Sequence, residues 1–378
     1  MTDKAAAPDR TPREILMKAT QPELADTCIR LGLDCGPGTR KSDMADAIAA
    51  RLEEAPYLLP SCLGPEAVDA LLSQRAAVGQ ARSARWTCPL WMANDDDLLA
   101  YALDELRFFG MAWRTRSEWH VNPFVRRALR LDREARRSLE AEDFVFGAMC
   151  RLMLIYGVIP QADALRMLDS YLGKQTKEEE RAESEEILLG IWCRRQGMYG
   201  LMPDPAAEES ADGAEPPILF RDPEAYRPLE LIALQRHLAA AGQTWRAWQG
   251  GELTGVPDTD ILITAQAAQQ LQALADELKP DADDLVFALE DAVECLHRGD
   301  RTEALEALEE GFGDRELTTS QRWILSRVLD KVPLPQLMGR TIEEVNRFTV
   351  GEGLRIRPDA PCPCGSGKRY RKCHSRLS

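Results

Sequence analysis

Four side chains near the C-terminus have the types and spacing of a metal site. They are Cys362, Cys364, Cys373 and His374, in the string Pro361-Cys-Pro-Cys-Gly-Ser-Gly-Lys-Arg-Tyr-Arg-Lys-Cys-His374. Three thiols and one imidazole complete a tetrahedral donor set for Zn2+. Two cysteines at i and i+2 cannot share a helix face, so the pair needs an extended knuckle, and Pro363 between them holds the backbone out of helix. Gly365 and Gly367 let the chain turn back toward Cys373 at little steric cost. Three thiolates around a divalent cation leave net negative charge, which Lys368, Arg369, Arg371 and Lys372 are placed to offset. The same four cations are the candidate contacts to a partner. Four protein ligands leave no open position for water or substrate, so the site reads as structural.

With these residues in place, Pro361 to His374 resembles the SEC-C motif, the small metal knuckle at the C-terminus of the bacterial preprotein translocase ATPase. The resemblance implies that Cys362, Cys364, Cys373 and His374 are the ligands, the last position being cysteine or histidine in family members, and it implies Fe2+ as the alternative ion. It also implies a protein-binding role, because in the translocase the knuckle contacts the secretion chaperone. Two positions depart from the family pattern. Pro358 stands near where an asparagine usually precedes the first cysteine, and Ser375 replaces the usual glycine after the last ligand. Neither is a ligand. No Gly-x-x-x-x-Gly-Lys-Ser/Thr phosphate loop occurs in the chain, so the translocase motor and its export function are not implied.

The rest of the sequence is poor in catalytic chemistry. His120, His237 and His297 stand alone, and His374 is committed to the metal. There is no His-Glu-x-x-His, no Gly-x-Ser-x-Gly elbow and no Gly-x-Gly-x-x-Gly loop. Asp95, Asp96 and Asp97 read as a helix cap rather than a cation site. No enzymatic activity and no small-molecule substrate are expected.

Charge separates the tail from the body. The chain carries a formal net charge of −15. Between Arg355 and Ser378, Arg355, Arg357, Lys368, Arg369, Arg371, Lys372 and Arg376 oppose a single acid, Asp359. A body this acidic repels nucleic acid and anionic membrane unless a local basic surface intervenes. The seven other cysteines are scattered singly, the N-terminus lacks an apolar signal core, and no stretch is apolar enough for a membrane span. A reducing, cytoplasmic setting with unbridged thiols is the expectation.

These residues must be positioned by a mainly α, multi-domain chain: an N-terminal helix–loop–helix, a winged-helix-like middle with short hairpins, a helical bundle and a C-terminal zinc knuckle. Residues 1–12 read as a disordered leader. Over 13–56, Thr20 and Glu23 are spaced as a capping box, Leu24, Cys28 and Leu31 follow on one face, and Gly32 ends the helix. Ser42 is the expected cap of a second helix with its stripe at Met44, Ile48 and Leu52. This pair is similar to the SAP and Rho-N-terminal type, which often contacts DNA or RNA, and Arg40, Lys41 and Ser42 at a helix start form a candidate phosphate site. The alternative is a helical hairpin packed on the next domain.

Residues 65–137 read as helix, helix, hairpin, the order of a winged-helix module. Leu98, Leu99, Ala102, Leu106 and Phe109 line one helix face, and strands at Met111–Trp113 and Trp119–Val121 follow. Trp113 and Trp119 read as a cross-strand core pair, with base-stacking platforms as the alternative. Arg126, Arg127, Arg130, Arg133, Arg136 and Arg137 form the densest basic run outside the tail, either a salt-bridged helix surface or a phosphate track. Residues 141–228 read as a second helical, winged-like unit with a disordered loop at 203–217. Residues 229–345 read as an antiparallel helical bundle whose first stripe runs from Leu229 to Trp248, and 346–378 as linker and knuckle. The layout as a whole resembles a group of bacterial proteins that join a nucleic-acid-type helix pair, a winged helical middle and a terminal SEC-C knuckle.

Overall fold

Short polar side chains set the helix starts. In the computed structural model, which describes residues 10–36, 38–77, 86–89, 92–93, 96–174, 176–177, 180–196, 201–203, 218–221, 228–240, 242–256, 259, 261–313, 315–345 and 369, Thr11, Thr20 and Thr318 each close a capping box. Their hydroxyls accept from the N–H three residues on, while Glu14, Glu23 and Gln321 return the contact. These boxes open helices α1 (Pro12–Leu16), α2 (Gln21–Arg30) and, far down the chain, α15 (Thr319–Leu329). Thr11 and Pro12, expected in the leader, therefore begin a helix, because Pro fits the first helical position and the box satisfies two end N–H groups. The described residues are mainly helical. The chain divides into two compact units, Met1–Gly147 with Glu186–Leu201, and Ala148–Glu185 with Met202–Ser378.

In the first unit, α2 and α3 (Lys41–Glu54) bury Leu24, Cys28, Leu31, Met44, Ile48 and Leu52, the two predicted stripes. Those residues join one apolar core with α4 (Leu58–Leu63), α5 (Pro65–Ala77) and α6 (Asp97–Phe108). At about 1.5–3 kcal/mol per fully buried large apolar side chain, this shared core dominates what holds the helix pair in place. Ser42 is not the cap of α3. Arg40 occupies that position with no side-chain bond, and the Ser42 hydroxyl donates to Asp43 at 3.1 Å instead. Asp96 caps α6 by accepting from the Leu99 N–H at 2.9 Å. Leu98 is exposed and Leu103 buried, a shift of the stripe set by which face meets the core.

After α6, Gly110 turns the chain at φ +72 beneath Leu16. A three-stranded antiparallel sheet follows, with β3 (Glu118–Val121) central between β1 (Trp86–Pro89) and β2 (Ala112–Arg114). Both tryptophans are buried but do not pair. Register places Trp113 opposite His120, ring centroids 5.2 Å apart and nearly parallel, while Trp119 faces Arg114 and Cys88. Side chains alternate across a strand, so the one-residue offset sends the two indoles to opposite faces. Helix α7 (Pro123–Ala128) then leads to α8, one helix from Arg133 to Tyr156. It runs without a break through residues 137–141, where the sequence pattern changes, because no Pro interrupts it.

From α8 onward a second sheet has the same strand order as the first, with its last strand central. Strand β4 (Val158–Pro160), helices α9 (Gln161–Leu172) and α10 (Arg181–Gln196), then β5 (Leu201–Pro203) and β6 (Ile218–Arg221) give a sheet ordered β4-β6-β5. Most of the loop expected to be disordered, 204–217, lies outside the described residues.

In the second unit, α11 (Pro228–Ala240) stops well short of Trp248. The chain there is drawn out of helix by contacts distant in sequence. Trp245 meets Tyr156 edge-on at 5.5 Å, the Trp248 indole N–H donates to the Gly339 carbonyl at 2.8 Å, and Arg246 pairs with Glu252 and Glu344. A hairpin of β7 (Leu253–Gly255) and β8 (Leu262–Thr264) follows, within the stretch read from sequence as a helical bundle. Helices α12 (Ala265–Leu278), α13 (Ala282–Arg298), α14 (Arg301–Glu310) and α15 then enclose a second apolar core. Asp281 and Asp300, in the short turns, cap α13 and α14. The buried Asp330 carboxylate accepts from Arg301 at 2.8 Å and Arg327 at 3.3 Å. Near Val345, Thr341 and Glu344 exchange side-chain-to-backbone bonds at 3.1 and 3.0 Å, opening a short final helical turn.

Candidate metal centre and basic surfaces

The metal ligands predicted from spacing, Cys362, Cys364, Cys373 and His374, lie outside the described residues, as do Lys368, Arg371 and Lys372. Of the basic knuckle residues, Arg369 is described and is exposed. The fit of a metal therefore rests on donor chemistry: three soft thiolates and an imidazole within a short segment match Zn2+ or Fe2+. Among the described residues, no group of three His, Cys, Asp or Glu side chains is arranged to hold a metal ion.

The other cysteines have environments suited to packing. None of Cys28, Cys35, Cys62, Cys88, Cys150, Cys193 and Cys295 forms a disulfide. Burial pushes the Cys62, Cys88 and Cys193 thiols up to about 11, far from the range where a thiolate forms readily. His297 moves the other way. Burial lowers its imidazole to about 4, against the opposing bond to the Pro333 carbonyl.

The N-terminal candidate is compromised by its acids. Arg40 is exposed, and Lys41 and Ser42 sit in the first turn of α3, but Asp43 shares that turn. Lys41 also lies within the field of Glu23, whose carboxyl is lowered first by the Thr20 N–H, then by the Thr20 hydroxyl, with Arg107 and Lys41 adding smaller attractions. One helix start with an acid in its own first turn and a second carboxylate near Lys41 is a weak phosphate site.

The arginine run after the hairpin is different. Arg136 forks onto Asp69 of α5, with both bonds at 2.7 Å, and also pairs with Glu140 at 2.9 Å. Among the described residues, no carboxylate pairs with Arg126, Arg127, Arg130, Arg133 or Arg137. The salt-bridged reading thus describes Arg136 alone. Sequence reasoning missed Arg75, on the last turn of α5 and 8% exposed. Its guanidinium is lowered by burial and by the like charges of Arg126 and Arg130, which places those three cations in one neighbourhood. A lone Arg late in a helix gives no sequence signal for this.

Among the described residues, no helix is long and apolar enough to cross a membrane.

Comparison with known proteins bears on the tail. Residues 360–376 match the model of the SEC-C motif, so the segment carrying all four proposed ligands is a SEC-C motif. Several curated proteins named protein translocase subunit SecA are similar over short stretches. The one from Laribacter hongkongensis is 51% identical over 39 residues, 9% of this chain and 4% of that protein. The one from Methylococcus capsulatus is 27% identical over 116 residues, 30% of this chain and 12% of that protein. The chain thus spans a small fraction of the length of these relatives. No solved structure matches the chain significantly.

Proposed function

We propose that this protein is a non-enzymatic, zinc-binding adaptor whose C-terminal SEC-C knuckle contacts a protein partner. The observation that carries the reading is the SEC-C match over 360–376, which brackets Cys362, Cys364, Cys373 and His374 within one short segment. Those four side chains would hold the ion, which would fix a segment too small to bury a core of its own. Lys368, Arg369, Arg371 and Lys372 would then form a basic face on a rigid knuckle. The similarity to proteins named as translocase subunits supports a role in assembly with another protein. The reading includes a cytoplasmic setting, no small-molecule substrate and Fe2+ as the alternative ion. Metal analysis of reduced, purified chain should find about one Zn2+ or Fe2+ per protein, and Cys362→Ser should abolish it together with capture of the partner. Protein that binds no metal when purified under reducing conditions removes the basis of the proposal.

A second reading, a nucleic-acid-binding regulatory protein, is favoured by one observation. The two three-stranded sheets share an order in which the last strand lies between the other two, each following helices in sequence, the connectivity expected of winged-helix modules. The helices preceding the two hairpins do not fit a role in a nucleic-acid groove. Helix α6 carries Asp97, Asp104 and Glu105 against Arg107, and α10 opens with Glu183, Glu185 and Glu186. Phosphate contacts need cations in excess.

A further inference from the structure

We propose that Cys28 and Cys35 form a peroxide-sensitive dithiol, a modification site at the end of α2 that closes to an intramolecular disulfide and reopens under a dithiol reductant. The site stands apart from the knuckle and from both readings above, since it uses neither the metal nor a nucleic acid.

The end of α2 builds the pair. Leu31 closes the helix and Gly32 follows at φ +65, a left-handed turn that glycine makes at least cost. The Gly32 N–H donates to the Ile29 carbonyl at 3.0 Å, and the Leu33 N–H reaches back to the Cys28 carbonyl at 2.8 Å. This double closure reverses the chain at the helix end and leads the residues after Leu33 back toward the last turn of α2. Cys35 thereby packs against the apolar core in which Cys28 is wholly buried. The two side chains meet there, the Cys28 S–H donating to the Cys35 sulfur. The far side of the loop is held as well. The Gly36 carbonyl accepts from the Thr39 N–H at 3.1 Å and from its hydroxyl at 2.9 Å, while the Gln21 side-chain amide donates to the Thr39 carbonyl at 3.3 Å. The loop therefore keeps the two sulfurs together as free thiols, without a bridge between them.

The singly placed cysteines lack such a partner. The strongest influences on Cys62, Cys88, Cys193 and Cys295 are burial, charged side chains and backbone groups, with no second thiol among them.

Access and proton affinity assign the two roles. Cys35 is half-buried and open to a small oxidant, whereas Cys28 is sealed in the core. Burial first, and then the bond to Cys35, hold the Cys28 thiol well above its ordinary range, so Cys28 keeps its proton. The oxidant is hydrogen peroxide. The Cys35 sulfur attacks one peroxide oxygen, the O–O bond breaks, and the departing hydroxide takes the thiol proton and leaves as water. Cys35 is then a sulfenic acid. The Cys28 sulfur attacks the Cys35 sulfur, the S–S bond forms, the S–O bond breaks, and the Cys28 proton leaves with that hydroxyl as a second water. The two thiols together lose two electrons, and one peroxide is reduced to two waters. The new bond closes residues 28–35 into a ring and restrains the loop that leads into α3.

The test uses the full, reduced chain with its metal content followed in parallel. After brief exposure to hydrogen peroxide, free thiols are blocked with N-ethylmaleimide in denaturant, and the chain is digested with trypsin without reductant and analysed by mass spectrometry. Trypsin cuts after Lys18, Arg30 and Arg40, so Cys28 falls in peptide 19–30 and Cys35 in peptide 31–40. The expected product is these two peptides joined, two hydrogens lighter than their sum, and separated again by dithiothreitol. Untreated chain should give each peptide singly, carrying maleimide. In Cys28→Ala, dimedone should trap a sulfenic acid on peptide 31–40, and in Cys35→Ser the Cys28 thiol should survive peroxide and take maleimide after unfolding. Circular dichroism checks both folds, and the wild-type peptide map decides alone where a variant is unfolded. The proposal is overturned if peroxide leaves both peptides fully maleimide-labelled, if Cys35 proceeds to sulfinic or sulfonic acid without joining Cys28, or if Cys35 joins chiefly to another cysteine. Oxidation of Cys362, Cys364 or Cys373 falls in other peptides, so loss of metal from the knuckle does not mimic the result.

Discussion

Arg30 offers a decisive check on how the first unit is held together. It is 6% exposed, and its guanidinium donates to Glu105 at 2.5 Å, to the Arg194 carbonyl at 2.9 Å and to the Cys62 carbonyl at 3.4 Å, while lying 4.8 Å from the Phe109 ring centre. Helix α2, the end of α4, α6 and the end of α10 thus meet on one cation. Arg30→Met keeps most of the volume and removes every donor. Glu105, whose side chain is 13% exposed, is then a nearly buried carboxylate with no counter-charge. Breaking one side of such a pair costs about 3–5 kcal/mol, and the two deserted carbonyls add to it. For a domain of about 150–250 residues this lowers the melting midpoint by roughly 6–20 °C. Removing the carboxylate as well, in Arg30→Met/Glu105→Leu, should recover much of the loss, because an apolar pair needs no solvation. Denaturant unfolding with hydrogen exchange at α2 and α6 amides reads both effects within this unit. A single variant costing under about 1 kcal/mol, or a double variant no more stable than the single, would refute the reasoning.

Two further outcomes follow from local geometry. Gly110→Ala places a Cβ at φ +72 only 2.7 Å from Leu16 Cγ and 2.8 Å from the Pro12 carbonyl, whereas at Gly32, φ +65, nothing lies within 4 Å. Gly32→Ala should therefore cost about 1–2 kcal/mol of backbone strain, and Gly110→Ala clearly more, as compared by denaturation midpoints. For His297, the folded imidazole is held near 4 against 6.5 in the free side chain. The unfolded chain binds the extra proton first, so the contribution is complete above about pH 6.5 and is lost as pH falls toward 4, at most about 3 kcal/mol. His297→Gln should flatten the stability profile within that window and leave its alkaline side unchanged.

What the sequence determined is what contiguous residues decide among themselves. Thr20 with Glu23 makes a capping box whatever packs nearby, and the stripe of Met44, Ile48 and Leu52 must find a core. The SEC-C segment is of the same kind, since Cys362, Cys364, Cys373 and His374 lie within a short stretch and the motif is legible from their types and spacing alone. Tertiary structure decided the rest, because distant groups compete with local preference. The stripe through Leu229 to Trp248 reads as one helix, yet Trp245, Arg246 and Trp248 gain contacts to Tyr156, Glu344 and Gly339 only by leaving it. The partner of Trp113 is His120 because register, which strand spacing does not specify, fixes the face of every side chain. Arg75 carries no signal in the sequence at all. It joins Arg126 and Arg130 because α5 and the segment after the hairpin fold against each other, and charge, unlike periodicity, acts through space.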